Sequence, residues 1–369
     1  MRILHWAFPY FPVRGGQSIF IERMALESLR LGHQVAIIVS TETDQGKMRK
    51  IVGDKIEIIP LKISVGDLRS DNGHQLMRVA TTIDQFKPDL IHVHNLKSQE
   101  LVYLRFYQST KGKNVPVICT LHDLVSLQRL KVLISNDPKL LSYSAVVSPS
   151  KYFANQFESV SPNIKGKFRM IYHGVPDILP SSMGISTDPH ILFAADLHEH
   201  KGGIQILSAW SLIFKKYPQV TLTIAGDGIA KEFLAQYATS AGMGEQVKFV
   251  GWLSQAELLA KLGDNCIFVM PSMLGEAFGL IAAEAAMAGA SIIAHRVGAL
   301  PEIVEDGVSG IVVTPGDTQA MATELERLLN DSKLRISLGQ HAKIRAEELF
   351  SMKVSVAEYE KLYADVAKT

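Results

Sequence analysis

Cysteine is nearly absent from this chain. Its 369 residues hold two, Cys119 and Cys266, and both fall inside apolar runs of strand type. That excludes a disulfide framework and a cysteine-rich metal site, and two buried free thiols in a reducing compartment are expected. Long apolar runs are missing too. Hydrophobic residues make up 47% of the chain, enough for ordinary cores. No stretch of about eighteen is apolar throughout, so no membrane-spanning helix is expected. Met1-Arg2-Ile3-Leu4-His5-Trp6 enters a strand directly, without the n-region, h-region and cleavage pattern of a secretory signal, and a cytoplasmic location is expected. Short repeats and low-complexity runs are lacking. The length suits two ordinary domains.

Neither sign of charge dominates, with 38 Lys and Arg against 37 Asp and Glu and a net charge of +1. The halves differ, however. Residues 1–180 hold 23 basic and 15 acidic side chains, and residues 181–369 hold 15 and 22, giving +8 and −7. A basic half predicts contact with something anionic, a membrane surface or a phosphate-bearing acceptor. Undirected drift of surface charge explains it nearly as well. No nucleic-acid partner is expected.

What the chain has is alternation. Apolar strand-like runs, beginning at residues 2, 35, 56, 90, 115 and 145, are separated by amphipathic segments of helical period, such as 19–31 and 73–86. The pattern restarts at His190 after a Pro, Ser, Gly and Asp-rich linker over 176–189. Two doubly wound parallel sheets of the Rossmann-like α/β type follow from this, facing across a cleft. The expected domains are 1–178 and 188–350, with a helix over about 351–369 crossing back to the first. In the first domain, Gly15 and Gly16 follow the opening strand and permit close backbone approach, although a plain turn explains a lone Gly-Gly. His92 and His94 share one face of a strand. No companion cluster at metal-ligand spacing accompanies them, so packing is expected there rather than a metal. His122 stands at a strand end before Asp123, where it suits a general base, a ligand contact or a structural hydrogen bond. The apolar segment 124–134, with Arg129 and Lys131, suits a membrane contact or an ordinary core helix.

The most informative stretch runs from Cys266 to Ala288. A buried-strand pattern, Cys266-Ile267-Phe268-Val269-Met270, enters the turn Pro271-Ser272, and an alanine-rich helix follows from about Leu280. Strand, tight loop and helix aim helix N-terminal N–H groups at an anion. Glu276 and Glu284 bracket the loop. Carboxylates do not bind phosphate; they accept hydrogen bonds from hydroxyls. A ligand with a phosphate centre and two hydroxylated flanks is implied, and a sugar nucleotide is one. Paired glycosidase-type carboxylates are an alternative use, but the phosphate-type loop between them argues against it.

Glu276 and Glu284 have seven residues between them, and Gly298-Ala299-Leu300-Pro301-Glu302 follows. With the strand and the Pro-Ser turn, this resembles the GT4 family of retaining glycosyltransferases, which have the GT-B fold. The resemblance covers nearly the whole chain, strongly over 190–317 and loosely over 1–180. It implies transfer of a hexose-type sugar, with retention, from a nucleotide sugar (UDP- or GDP-linked) to a glycan or lipid-linked hydroxyl, without a metal or other cofactor. By the same resemblance, Lys201, Glu276 and His122 are catalytic, His122 lying over the donor sugar. Gly15, Gly16, Asp196, Gly226, Leu253, Ala277, Phe278, Gly279, Leu280 and Glu284 contact the donor. His173 stands where the family usually has Asn. A larger departure is Asp196, which occupies the place of an arginine that binds the donor diphosphate. Like charges about 4 Å apart repel by about 4 kcal/mol at an effective dielectric of 20. Asp196 then turns away while His198, His200 or Arg296 supplies charge, or the donor sits differently, or catalysis is impaired. A silent binding partner and a sugar-nucleotide epimerase of the same fold are the rival functions. Phe8-Pro9-Tyr10-Phe11-Pro12 and the basic first half point to peripheral attachment at an anionic membrane and a role in cell-surface polysaccharide synthesis.

Overall fold

A computed structural model describes residues 1–7, 16–40, 56–61, 72–95, 98–112, 114–123, 143–158, 166–177, 189–263 and 265–368. The chain divides into two compact units, Met1–Gly174 with Met352–Thr369, and Val175–Ser351.

In the first unit, seven strands form one sheet: β1 (Arg2–Ala7), β2 (Gln34–Ser40), β3 (Glu57–Leu61), β4 (Leu90–His94), β5 (Val117–Thr120), β6 (Ala145–Ser148) and β7 (Phe168–Met170). Their spatial order is β3-β2-β1-β4-β5-β6-β7, and every pairing is parallel. Sheets of this kind are covered on both faces, so their strands are continuous apolar runs rather than alternating ones. Ile3 to Ala7 and Leu90 to His94 are buried without interruption. The last helix, Met352–Val366, belongs to this unit. It places Met352, Val356, Tyr359, Leu362, Tyr363 and Val366 in the first core.

The second unit repeats the plan with β8 (His190–Ala194), β9 (Leu222–Ala225), β10 (Val247–Gly251), β11 (Cys266–Met270), β12 (Ser291–His295) and β13 (Ile311–Val313), ordered β10-β9-β8-β11-β12-β13. Its core gathers Phe193, Leu207, Trp210, Ile224 and Leu325. Ser254 caps the helix Gln255–Lys261 and forms a capping box with Glu257. After β8 the chain forms an α-helix, Gly203–Ile213, closed by a 3-10 turn, Phe214–Lys216. Such a turn tightens a helix end before the chain leaves for the next strand.

In each sheet the strand order reverses at the unit's first strand. β1 lies between β2 and β4, and β8 lies between β9 and β11. Ligands of open parallel sheets bind beyond the C-terminal strand ends at such a reversal. The loops after β1 and β4, and those after β8 and β11, are therefore where function is sought.

Candidate active site

In the second unit, the loop after β8 carries Asp196 and Lys201, and the loop after β11 carries Glu276. Lys201 Nζ donates to Glu276 Oε1 at 2.8 Å, and Ser272 Oγ donates to the same oxygen at 2.7 Å. None of the described residues donates to Oε2. The backbone holds the two loops together, with Met273 N–H donating to the His200 carbonyl at 2.8 Å. His295 Nδ1–H donates to the Ser272 carbonyl at 3.1 Å and anchors the turn from β12. Burial lowers the pKa of His295, against the opposing pull of the Ser272 and Pro271 carbonyls.

The helix Leu280–Met287 starts at Gly279, whose φ is +103°. Its first backbone bonds run from Ala282 and Ala283 N–H to the Gly279 carbonyl. Leu280 and Ile281 N–H thus have no acceptor inside the helix, as at any helix start. The left-handed Gly279 joins this helix start to the loop that carries Glu276, Ala277 and Phe278. Glu284, one turn further in, is half-buried and accepts from Gln255 Nε2 at 2.6 Å. The arrangement offers, in sequence, a carboxylate beside a cation, a group of backbone donors, and a second carboxylate.

Gly298 keeps Glu276 in place. Its φ is +56°, and a Cβ there would lie 2.2 Å from Glu276 N and 2.4 Å from Glu276 O. Ala299 N–H donates to that same carbonyl at 3.0 Å. Gly298→Ala is expected to destabilise the second unit by about 2 kcal/mol, since it combines a left-handed alanine with a displaced backbone. It should also displace Glu276 and lower turnover. Urea unfolding and turnover of the variant check both, and unchanged values would show that the loop absorbs the methyl group.

Asp196 pairs with His198 Nε2 at 3.2 Å, and both side chains are well exposed. Arg296 is engaged by Asp306 at 3.2 Å. The cation nearest the arrangement is therefore Lys201, with His200 beside it. The pKa of His200 is lowered by burial first and by Lys201 second. Gly226 N–H donates to the Gly251 carbonyl at 2.7 Å, and a Cβ on Gly226 would sit 1.8 Å from the Ala195 carbonyl oxygen, so the turn after β9 touches the loop after β8. Leu253 leads into the capped helix that supplies Gln255.

In the first unit, Gly15 lies outside the described residues, as do 8–14 and 124–142. Gly16 opens the helix Gly16–Arg30 instead of standing in the loop. His122 follows β5, half-buried. Its backbone N–H donates to Asn95 Oδ1 at 2.7 Å. Asn95 Nδ2 donates to Gln17 Oε1 and Asp123 Oδ2, each at 2.8 Å. Asn95 has φ +65°, a conformation asparagine tolerates better than most residues, and it lets one side chain tie three segments at the sheet's ligand edge.

The expectation that His92 and His94 have no companion is corrected by the register. His5 on β1 pairs with His92 on β4, and His5, His92 and His94 bring one nitrogen each within 4.8 Å of one another. That spacing suits a metal ion, although hydrogen bonds engage every ring nitrogen of the three except His5 Nε2. His5 Nδ1 meets His94 Nε2 at 3.0 Å. His92 Nδ1 meets Tyr363 Oη and His92 Nε2 meets Thr120 Oγ1, both at 2.7 Å. The line continues from His94 Nδ1 to His122 Nε2 at 3.0 Å, and from His122 Nδ1 to His173 Nε2 at 3.0 Å. Both ring nitrogens of His122 are thereby engaged. Burial lowers the pKa of all five rings, His5 and His173 to about 3.

Sequence reasoning named Ser272 and Gly298 only as motif residues, without these roles, and gave no site role to Gln255, Asn95 or His5. The period of two along each strand was legible, but which strands are neighbours is a property of topology. His5 could be joined to His92 only once β1 was known to lie beside β4.

Residues 14–177 match the family described as Glycosyltransferase Family 4, and residues 178–345 match Glycosyl transferases group 1. The chain is 24% identical over 369 residues to the glycogen synthase of Mycobacterium tuberculosis, covering 90% of this chain and 86% of that one. It is 25% identical over 397 residues to the D-inositol 3-phosphate glycosyltransferase of Corynebacterium kroppenstedtii, covering 96% and 86%. Among solved structures, Anabaena Alr3699/HepE in complex with UDP and glucose superposes with a TM-score of 0.79 at 20% identity over 99% of both chains. The two family matches adjoin and share out the chain as the two sheets do: it belongs to the GT-B glycosyltransferases of the family 4 type.

Proposed function

We propose that this glycosyltransferase moves a hexose-type sugar from a nucleotide diphosphate, UDP in the first instance, to a hydroxyl of a glycan or lipid-linked acceptor, with retention at the anomeric carbon. The observation that carries the reading is the Lys201–Glu276 pair at 2.8 Å, beside the N-terminus of helix Leu280–Met287. Donor diphosphate on those N–H groups gains from their direction and from the helix dipole. Lys201 then faces the charge that develops on the leaving diphosphate, the electrostatic stabilisation that such a transfer needs most. Glu276 Oε2 is suited to a sugar hydroxyl and Glu284 to the ribose diol; His122 would have to release His94 or His173 to meet a substrate oxygen. No step here calls for a metal ion. Asp196 is turned to His198 at 3.2 Å, which leaves Lys201 as the cation of these two loops for a diphosphate.

The Anabaena complex with UDP and glucose supports UDP as the first nucleotide to test. Its low identity leaves GDP in the same panel. The excess of basic residues in the first half supports an anionic acceptor or membrane surface, and a role in cell-surface polysaccharide synthesis goes with it. No described helix is long and apolar enough to cross a membrane, so attachment would be peripheral.

Thermal unfolding with UDP, GDP, ADP and their sugar derivatives tests the reading. UDP at about 100 times its Kd should stabilise the chain by about 2.7 kcal/mol, and the anomeric proton signal of the product should match that of the donor. No stabilisation by any nucleotide would remove the donor site, and an inverted product would remove retention.

A further inference from the structure

Glu276 has two carboxylate oxygens, and their surroundings differ. Oε1 receives two donors, Lys201 Nζ at 2.8 Å and Ser272 Oγ at 2.7 Å, while Oε2 receives none from the described residues. The two donors are unlike. Lys201 is an ammonium with three rotatable hydrogens on a flexible stem, so it can pair with either oxygen or with both. Ser272 has a one-carbon stem and a single hydrogen to give.

Ser272 is also the better anchored of the two. It is 1% exposed, and its turn is held from three directions. His295 Nδ1–H, at the end of β12, donates to the Ser272 carbonyl at 3.1 Å. Met273 N–H, next along the chain, donates to the His200 carbonyl at 2.8 Å. Gly202, with φ +84°, packs so closely on Pro271 that a Cβ there would lie 1.9 Å from the Pro271 carbonyl oxygen. Glu276 is held by its own backbone, since Ala299 N–H donates to its carbonyl at 3.0 Å. The main chain is thus fixed at both ends of the Ser272–Glu276 contact, and the hydroxyl sets how the carboxylate is turned. With one oxygen pinned by Ser272 and Lys201 together, the other has one place to lie. Freed of Ser272, the carboxylate can turn both oxygens to Lys201, which closes Oε2 to a ligand.

We propose that Ser272 is a positioning residue for Glu276: its hydroxyl occupies Oε1, keeps Lys201 from taking both oxygens, and so presents Oε2 to a hydroxyl of the donor sugar. This rests on the reading that Glu276 meets the donor sugar. The role requires no contact between Ser272 and the donor, because the one hydrogen of Ser272 is given to Glu276.

The test is binding, which needs no acceptor. UDP-glucose, UDP-N-acetylglucosamine and GDP-mannose are titrated calorimetrically against the full chain, each beside its bare nucleotide, so that the ratio of the two affinities reads the sugar contacts. For the sugar nucleotide with the highest ratio, Ser272→Ala should lower that ratio about fivefold, the equivalent of one net hydrogen bond, with affinity for the bare nucleotide unchanged. Ser272→Thr, which keeps the hydroxyl, should restore the wild-type ratio. In a Glu276→Ala background, Ser272→Ala should leave the ratio unchanged, because a residue that acts through Glu276 then has nothing to act on. An unchanged ratio in Ser272→Ala, or the same loss with and without Glu276, overturns the positioning role. Loss of the bare nucleotide along with the sugar in Ser272→Ala overturns it as well, since the serine then serves the fold of the turn. If the wild-type chain binds none of the three sugar nucleotides, the donor reading fails and the proposal with it, whereas a wild-type ratio that survives Ser272→Ala sinks the proposal alone.

Discussion

Between pH 7.5 and pH 5.5 the first unit is expected to lose most of its stability, and the second much less. Five histidines, His5, His92, His94, His122 and His173, have folded pKa values well below the ordinary 6.5, chiefly because burial disfavours the charged ring. Neighbouring imidazoles push His92, His94 and His122 down further. The unfolded chain therefore binds protons as pH falls through 6.5, while the folded chain binds none until much lower pH. Stability is fully present above 6.5 and drains away below it. Each such histidine contributes a slope of about 1.4 kcal/mol per pH unit, so five give about 7 kcal/mol per unit. A whole domain has about 5–15 kcal/mol. The second unit has His190 and His295 lowered for the same reason and the more exposed His200, so its own loss is smaller. Trp6 is the first unit's tryptophan, whereas Trp210 and Trp252 belong to the second. A chain carrying Trp210→Phe and Trp252→Phe therefore reports the first unit by fluorescence. Its urea midpoint should fall steeply over this range, and His92→Asn should reduce the slope by about one histidine's share. Equal midpoints at pH 7.5 and 5.5 would show that the rings titrate normally.

The same five residues mark where reading the sequence stops. His92 and His94 were visible as neighbours on a strand face, and His122 as a strand-end group, because period and turn chemistry are local. His5 looked like one polar residue in an apolar run. It became the buried end of a hydrogen-bonded line through the pairing of β1 with β4, which the linear order does not encode. In the second unit far more was legible. Strand, Pro-Ser turn, Gly279 and alanine-rich helix occupy one continuous stretch, so local rules sufficed to place Glu276 and Glu284 on either side of a helix start. Gly298 was legible only as a motif residue, because its reason is tertiary: a Cβ there would run into the Glu276 backbone. Asp196 was legible as a misplaced charge, but its contact with His198 was not: His198 was named only among groups that could supply charge to the diphosphate.

Replacing Lys201 with alanine is expected to lower kcat/KM about a thousandfold. If Lys201 meets the donor diphosphate as proposed, a unit charge about 4 Å away is worth about 4 kcal/mol at an effective dielectric of 20, and about 1.4 kcal/mol is a factor of ten in rate. The loss has two parts. Charge developing on the leaving diphosphate is no longer met, and Glu276, released from the 2.8 Å pair, adds a repulsion that the wild type suppresses. UDP affinity should therefore fall along with turnover. Glu276→Gln separates the two. It keeps the size of the side chain and an oxygen for Ser272, whose hydroxyl now donates to Oε1 at 2.7 Å. It also removes a negative charge beside the diphosphate. UDP should bind as well as before or more tightly, while kcat falls about a hundredfold through loss of the carboxylate's contact with the sugar. The double variant should lose less than the product of the two single losses, since neither partner then faces an uncompensated charge. If instead both single variants weaken UDP equally and unfold earlier in urea, the pair serves the fold of the two loops, and the diphosphate must be held by the backbone donors at Leu280 and Ile281 alone.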